Sequence, residues 1–166
     1  MWENELRPGG VVGLDANVFL YHFTGRSSRA TELLGRIEAG DFAGVTTRET
    51  LIEVLHRLMV FEAMAMGLAG GNNPARSLKR NPELVRSLSR YARDAAAIPA
   101  MGVRILPPLE DPIRESQPFR ARYGLLSNDS LLAATLAVRG IPMLATADRD
   151  FLRVDELQVL LLDDIA

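Results

Sequence analysis

The stretch MLATADRDF, residues 143–151, sets a short apolar run against a sudden cluster of oxygen-bearing side chains. Thr146, Asp148 and Asp150 alternate with Ala147 and Arg149 before Phe151 closes the segment. An apolar run of this length, bounded by turn-forming residues, reads as a buried strand that stops where the acids begin. Two carboxylates and a hydroxyl at that point serve a turn, because Asp readily makes Asx turns. They serve a metal ion equally well. The rest of the chain has to decide between these uses.

Four other runs resemble it: VVGL at 11–14 between Gly10 and Asp15, a short run near 43–46, VRIL at 103–106 and LQVLLL at 157–162. Helical patterns fall between them. Residues 17–23 begin a helix or helical turn; Ala30, Leu33, Leu34 and Ile37 follow Ser27 and Ser28 at helical spacing; Arg48 to Met66 follows Thr47, a candidate N-cap. GLAGGNNP, residues 67–74, is the clearest loop. Beyond it the pattern predicts helices from Pro82 to about Ala97, over 112–123, and after a Ser127 cap through LLAATLAVRG to Gly140. Strands alternating with helices of ten or more residues imply right-handed crossovers. The expected fold class is therefore α/β, with three layers, a mostly parallel central sheet of about five strands and helices on both faces.

A chain of 166 residues, 48% apolar and 24% charged, fits one globular domain with a sizeable core. It has no cysteine, which excludes disulfides and thiolate chemistry. MWENELRPGG at 1–10 has no basic head and apolar stretch, so no signal peptide is read, and runs such as LLAATLAV at 131–138 are too short to span a membrane. The expected location is the cytoplasm. The net charge of −2 conceals an asymmetry: residues 74–104 hold six arginines and the only lysine, Lys79, against Glu83 and Asp94, a net +5 on a body of −7. Such a segment is either a solvated helical face or a surface for a polyanion.

Ligand sites in open parallel sheets lie beyond the carboxyl ends of the strands. Asp15 follows the first strand, Asp148 follows MLAT, Asp129 lies in the first turn of the helix after Ser127, and Glu53 lies roughly 9 Å along the helix that follows Thr47. Each has an independent structural explanation. Asp15 suits a helix cap, Asp129 suits a helix N-terminus, Glu53 can pair with Arg57 four residues on, and Asp148 and Asp150 can form Asx turns. Gathered at one rim, however, carboxylates repel: two charges 4 Å apart cost about 1 kcal/mol in water and about 4 at an effective dielectric of 20. A cation or a raised pKa must relieve that cost. Oxygen donors without cysteine, and only His22 and His56 elsewhere, favour Mg²⁺ or Mn²⁺ over zinc.

With those residues in view, the chain resembles PIN-domain ribonucleases, and among them the VapC toxins of toxin–antitoxin pairs. The resemblance rests on GLDANVFLYHF at 13–23, TTRETLIEVLHRL at 46–58, LLSNDSLLAATLAVRG at 125–140 and MLATADRDF at 143–151, covering about 11–61 and 119–162. It implies a PIN-like three-layer fold over 1–166 as one domain, with an extended, helical, basic insertion at about 67–104. It also implies a Mg²⁺- or Mn²⁺-dependent endoribonuclease that leaves a 5′-phosphate and a 3′-hydroxyl. Carried over position by position, Asp15, Glu53, Asp129 and Asp148 would be the acidic catalytic and metal-binding set, Asp150 an auxiliary metal-binding acid, and Asn17 and Thr146 the supporting polar residues. Glu49 is the alternative at the second acidic position; Glu53 sits in TLIEVL, the form this position takes in the family. The implied partners are an RNA substrate, a VapB-like antitoxin and, for a homodimer, a second copy of the chain.

Two other readings compete. A PIN-like module that has lost catalysis would bind RNA or protein without cleaving. A phosphatase of the haloacid dehalogenase type also opens on a strand and an Asp, but it needs a second Asp where this chain has Asn17, and usually a downstream lysine.

Overall fold

The computed structural model describes residues 9–166, so the leading segment through Pro8, on which most of the signal-peptide reading rests, lies outside the described residues. The first half runs β1 (Val11–Leu14), α1 (Ala16–Phe23), α2 (Ser28–Glu38), β2 (Ala43–Thr46), α3 (Arg48–Ala65), α4 (Pro74–Arg80), α5 (Pro82–Ser87) and α6 (Arg90–Ala97). The second runs β3 (Val103–Ile105), α7 (Pro112–Tyr123), α8 (Ser127–Val138), β4 (Met143–Thr146) and β5 (Gln158–Leu161). The five strands form one sheet in the order β3-β2-β1-β4-β5, and every pairing is parallel. The sheet is thus wholly rather than mostly parallel. After β3 the chain crosses back past β2 and β1 to lay down β4, which makes the β1–β4 seam the point where strand order reverses. Its carboxyl end is where open α/β sheets bind ligands.

Alternate strand residues face two separate cores, as the two-residue side-chain period requires. Val12 and Leu14 pack with Phe19, Leu33, Ile37 and Val54, the layer built from α1, α2 and α3. Val45 and Leu144 pack with Leu132, Leu136 and Phe151 on the opposite face, under α7 and α8. At Gly13 a methyl group would lie 2.6 Å from Cδ1 of fully buried Leu136, so glycine lets α8 press directly on β1. That contact brings the first turn of α8 towards the end of β1.

The helix cap expected at Thr47 forms, Thr47 Oγ1 accepting from the Thr50 amide at 3.1 Å. The helix expected after Ser27 and Ser28 also forms, and Ser27 Oγ caps it by accepting from the Ala30 amide at 3.0 Å. Two boundaries differ from expectation. Ser127 is the first residue of α8 rather than its cap; extended Leu126 takes that position, and no side chain caps it. The helix expected from Pro82 to Ala97 is broken at Leu88, which turns extended and buries itself with Ala63, Ala69 and Leu78. Burying Leu88 outweighs continuing the helix, because this small cluster is what attaches α4 and α5 to α3.

The interrupted helix is restarted from a distance. Oε1 of Glu62, on α3, accepts from the amides of Ser89 and Arg90 at 3.0 and 3.1 Å, and Oε2 accepts from that of Tyr91 at 2.8 Å. Partial burial works to raise the Glu62 carboxyl, but the amides of Ser89, Tyr91 and Arg90, with the Arg90 guanidinium, outweigh it and hold it below the ordinary range. Among the described residues, no helix is long and apolar enough to cross a membrane.

The glycines separate close packing from open surface. Gly13→Val should destabilise the protein by about 1–3 kcal/mol, because Leu136 has nowhere to move. Gly35→Ala, inside α2 and facing open space, should stabilise it by about 0.5–1 kcal/mol. Urea unfolding of both variants measures the difference, and equal midpoints would contradict the close α8–β1 approach.

Candidate active site

Asp15 sits at the end of β1, where its backbone amide donates to the Ala145 carbonyl of β4 at 3.1 Å and so extends the seam by one step. Its side chain is buried and held from three directions. Oδ1 accepts from the Ala16 amide at 2.6 Å, and Oδ2 accepts from Thr146 Oγ1 at 2.7 Å and from Asn17 Nδ2 at 3.0 Å. Thr146 Oγ1 in turn accepts from the Asp148 amide at 2.9 Å, so its hydroxyl proton has one direction to point. Burial raises the Asp15 carboxyl; the Thr146 and Ala16 hydrogen bonds oppose it, the charge of Glu53 adds to it and that of Arg57 subtracts.

From Asp15 the hydrogen bonding continues across three helices. Asn17 Oδ1 accepts from Arg57 Nη1 at 3.1 Å, and the same nitrogen donates to Glu53 Oε1 at 3.3 Å. Glu53 Oε2 accepts from Asn128 Nδ2, at the start of α8, at 3.2 Å. The Glu53–Arg57 pair expected from helical spacing is therefore real, but it belongs to a network joining β1, α1, α3, α8 and β4. Sequence reading gave Arg57 a role only towards Glu53, and it missed Asn128. The available signal was that Asn128 shares the first turn of α8 with Asp129 and projects from the same rim.

Asp129 is different. Among the described residues it has no hydrogen-bond or ion-pair partner, although no side-chain oxygen there is both fully buried and unpaired. Its carboxyl is raised from 3.8 to about 7, first by burial and then by the charges of Asp15, Asp148, Glu53 and Asp150. The helix N-terminus that should favour its ionisation is overcome by burial and by its acidic neighbours. Glu53 is one of those charges, while Glu49, the alternative at that position, is not among the four acids that act most strongly on Asp129.

The two remaining acids also perform the structural tasks weighed for them. Asp148 Oδ1 accepts from the Asp150 amide at 2.8 Å and caps a short 3₁₀ turn over Arg149–Arg153. Asp150, exposed, pairs with Arg153 at 3.1 Å. The other four acids all act on Asp129, yet among the described residues no three His, Cys, Asp or Glu side chains stand together as a group that could hold a metal ion. Of the histidines, Nδ1 of His22 lies 3.1 Å from Thr31 Oγ1, and His56 is exposed on α3.

A parallel α/β sheet with a carboxylate-lined rim at the reversal of its strand order defines the class: a three-layer α/β protein whose site is acidic and held by residues from both halves of the sheet. A family model of the PIN domain matches residues 12–157, and the chain belongs to that family. It is 26% identical over 146 residues to Ribonuclease VapC2 of Methanocaldococcus jannaschii, covering 88% of this chain and 90% of the relative. Its fold resembles that in the crystal structure of VapBC2 from Rickettsia felis bound to a DNA fragment from their promoter: TM-score 0.59, 13% identity, 92% of this chain and 99% of that one. It also resembles Mycobacterium tuberculosis VapC20, a sarcin-ricin loop cleaving toxin: TM-score 0.56, 17% identity, 87% of this chain and 95% of that one.

The repulsion at Asp129 has a measurable sign. Because its folded carboxyl lies above the ordinary value, ionising it opposes folding, and the destabilisation grows as pH rises from about 4 to about 7. In EDTA, Asp129→Asn should raise the melting temperature at pH 8 by about 2–4 °C, the shift expected for ~1 kcal/mol in a chain of this size. The advantage should shrink at pH 5, where the native side chain is protonated. An equal shift at both pH values would remove the electrostatic explanation.

Proposed function

We propose that this PIN-domain protein is an endoribonuclease dependent on Mg²⁺ or Mn²⁺, the toxin of a VapBC-type pair that acts in the cytoplasm. The observation that carries this reading is Asp129, an unpartnered carboxylate pushed to about 7 by burial and four neighbouring acids. A divalent cation removes that cost. The donor set is all oxygen, as such a cation prefers. Although no three acids among the described residues are grouped to hold a metal, Mg²⁺ retains several waters and binds through one or two carboxylates. Further support comes from the relative named a ribonuclease and the similar fold of a toxin described as cleaving the sarcin-ricin loop.

In this reading the ion sits among Asp15, Glu53, Asp129 and Asp148, held by one or two of them directly and by the others through its waters, with Asp150 as an auxiliary. When bound, the ion supplies Lewis acidity towards a water and the phosphoryl oxygens of RNA. Asn17 and Thr146 fix the direction of the Asp15 carboxylate through their hydrogen bonds. Arg57 keeps Glu53 and Asn17 aligned and moderates the negative field. The partners are RNA, a VapB-like antitoxin and, in a homodimer, a second copy. The antitoxin follows from fold neighbours that include VapBC2 and a toxin–antitoxin complex from Klebsiella pneumoniae. Residues 1–166 form one PIN-like domain, its segment at about 67–104 an extended helical, basic insertion.

Asp148→Asn should reduce RNA cleavage to background while thermal melting shows a folded protein, since Asn keeps the one acceptor oxygen Asp148 uses. Asp15→Asn should do the same with a lower melting temperature, because Asp15 accepts through both oxygens. Thr146→Val should lower activity by about 10–100-fold, the usual effect of losing a residue that orients a ligand. EDTA should stop cleavage and Mn²⁺ or Mg²⁺ restore it. Full activity in EDTA, or in either Asn variant, would refute the site. RNA binding without metal-dependent cleavage would favour the inactive binding module, and phosphate release from a simple phosphomonoester would favour the phosphatase.

A further inference from the structure

A cleft of about 310 Å³ runs along α3 beside the acidic network, lined by His56, Arg57, Phe61 and Met64 on α3 and by Asn73 and Pro74 where α4 begins. One end is chemically defined, because Arg57 is the residue that holds Glu53 and Asn17. The other end meets α4, whose Ala75 lines the cleft and whose Leu78 is buried against α3. Arg76, Lys79 and Arg80 therefore occupy the outward faces of α4, and all three are exposed. Among the described residues none of them is paired with a carboxylate, whereas Arg86, Arg90 and Arg93 of the same basic segment are.

Between the two ends stands Phe61. It is 43% exposed and lines this cleft and a second one of about 210 Å³ on its other side, shared with Phe23, Arg90 and Tyr91. An aromatic ring left in solvent between an acidic pocket and three unpaired cations is the combination that single-stranded nucleic acid uses: a stacking platform for a base, with cations along the backbone. The cleft has room for a base and its sugar and is far too small for a duplex.

We propose that this cleft guides a single RNA strand away from the acidic pocket, with Phe61 stacking an unpaired base and Arg76, Lys79 and Arg80 contacting successive phosphates. The proposal rests on the nuclease reading above and adds to it the course of the flanking strand along α3 and α4. The net charge supports this occupant: the cations lie on a body that is otherwise acidic, and an RNA backbone complements them.

The test is cleavage of an unstructured 20-nucleotide RNA by the full-length protein with Mn²⁺, measured as kcat and KM over a range of salt. Wild type is compared with the R76Q/K79Q/R80Q triple variant, Phe61→Ala and Phe61→Tyr. The triple variant should raise KM by about 10-fold and reduce the slope of log KM against log salt by about 2, the counterion release of three single-strand phosphate contacts. Phe61→Ala should raise KM by about 10-fold, with Phe61→Tyr close to wild type, since only an aromatic ring stacks. In all three, kcat at saturating RNA should be unchanged.

If wild type cleaves the RNA while KM and the salt slope stay the same in the triple variant and in Phe61→Ala, the track is wrong and the nuclease reading stands; the cleft then serves a protein partner. A fall in kcat alone would likewise overturn it, because the residues would be acting on the pocket rather than on the strand. If wild type cleaves no RNA, the nuclease reading fails and the track fails with it.

Discussion

The hydrogen bond from Thr146 to buried Asp15 joins the two halves of this molecule at the point where they would otherwise separate. β1 belongs with β2 and β3, and β4 with β5; only the β1–β4 pairing unites them, and its carboxyl end carries a carboxylate out of solvent. Burying a carboxylate costs several kcal/mol unless its lone pairs are satisfied. Asp15 meets that condition with the Ala16 amide, the Asn17 side chain and the Thr146 hydroxyl. Thr146 in turn is fixed by the Asp148 amide, so the turn after β4 and the helix after β1 are set by one group. The same bond that closes the sheet therefore decides where the acids of the rim stand.

Four of the five acids have structural employment that helps so negative a rim to fold. Asp15 caps, Glu53 is bridged by Arg57 and Asn128, Asp148 caps, and Asp150 is paired with Arg153. Caps and pairs give those carboxylates hydrogen-bond donors in place of the water they lose. Asp129 has no such partner and is raised by burial and by the other four acids, and it lies on the helix that Gly13 allows against β1. Close packing on one face of the sheet thus creates the electrostatic imbalance at its edge. Moving α8 outward would ease the imbalance and open the core beneath Leu136.

Local chemistry made much of this legible from sequence. The runs ending in Asp15 and Thr146 gave strand ends, Thr47 and Ser27 gave helix starts, and the alternation of strands and helices gave the layers, because each signal depends on neighbours within a turn or two. What escaped depends on residues far apart in the chain. The cap that starts α6 comes from Glu62, 27 residues before Ser89, so the break at Leu88 looks unprovoked in sequence. Asp164 does the same for α2: its carboxylate accepts from the Ser27 and Ser28 hydroxyls and the Arg29 amide, and although partial burial works to raise it, these bonds hold it down at about 2. Asn128 could be placed on the rim only once α3 and α8 were known to meet there.

α3 links these levels because its faces serve different masters. Val54 and Leu58 belong to the main core, Glu53 and Arg57 to the acidic network, and Met59, Val60 and Ala63 to the satellite cluster that carries α4 and α5, while Glu62 starts α6. Eighteen residues make a rod of roughly 27 Å, long enough to do all this without bending. The satellite cluster is small and shares few residues with the sheet core, so α4 and α5 can open without unfolding the rim. The reverse does not hold: the rim and the basic segment are both referenced to α3, and a shift of that helix in the core would displace Glu53 and the exposed cations together. The acidic pocket and the basic face are therefore both positioned by one helix, while the stability of each is set by a different set of contacts.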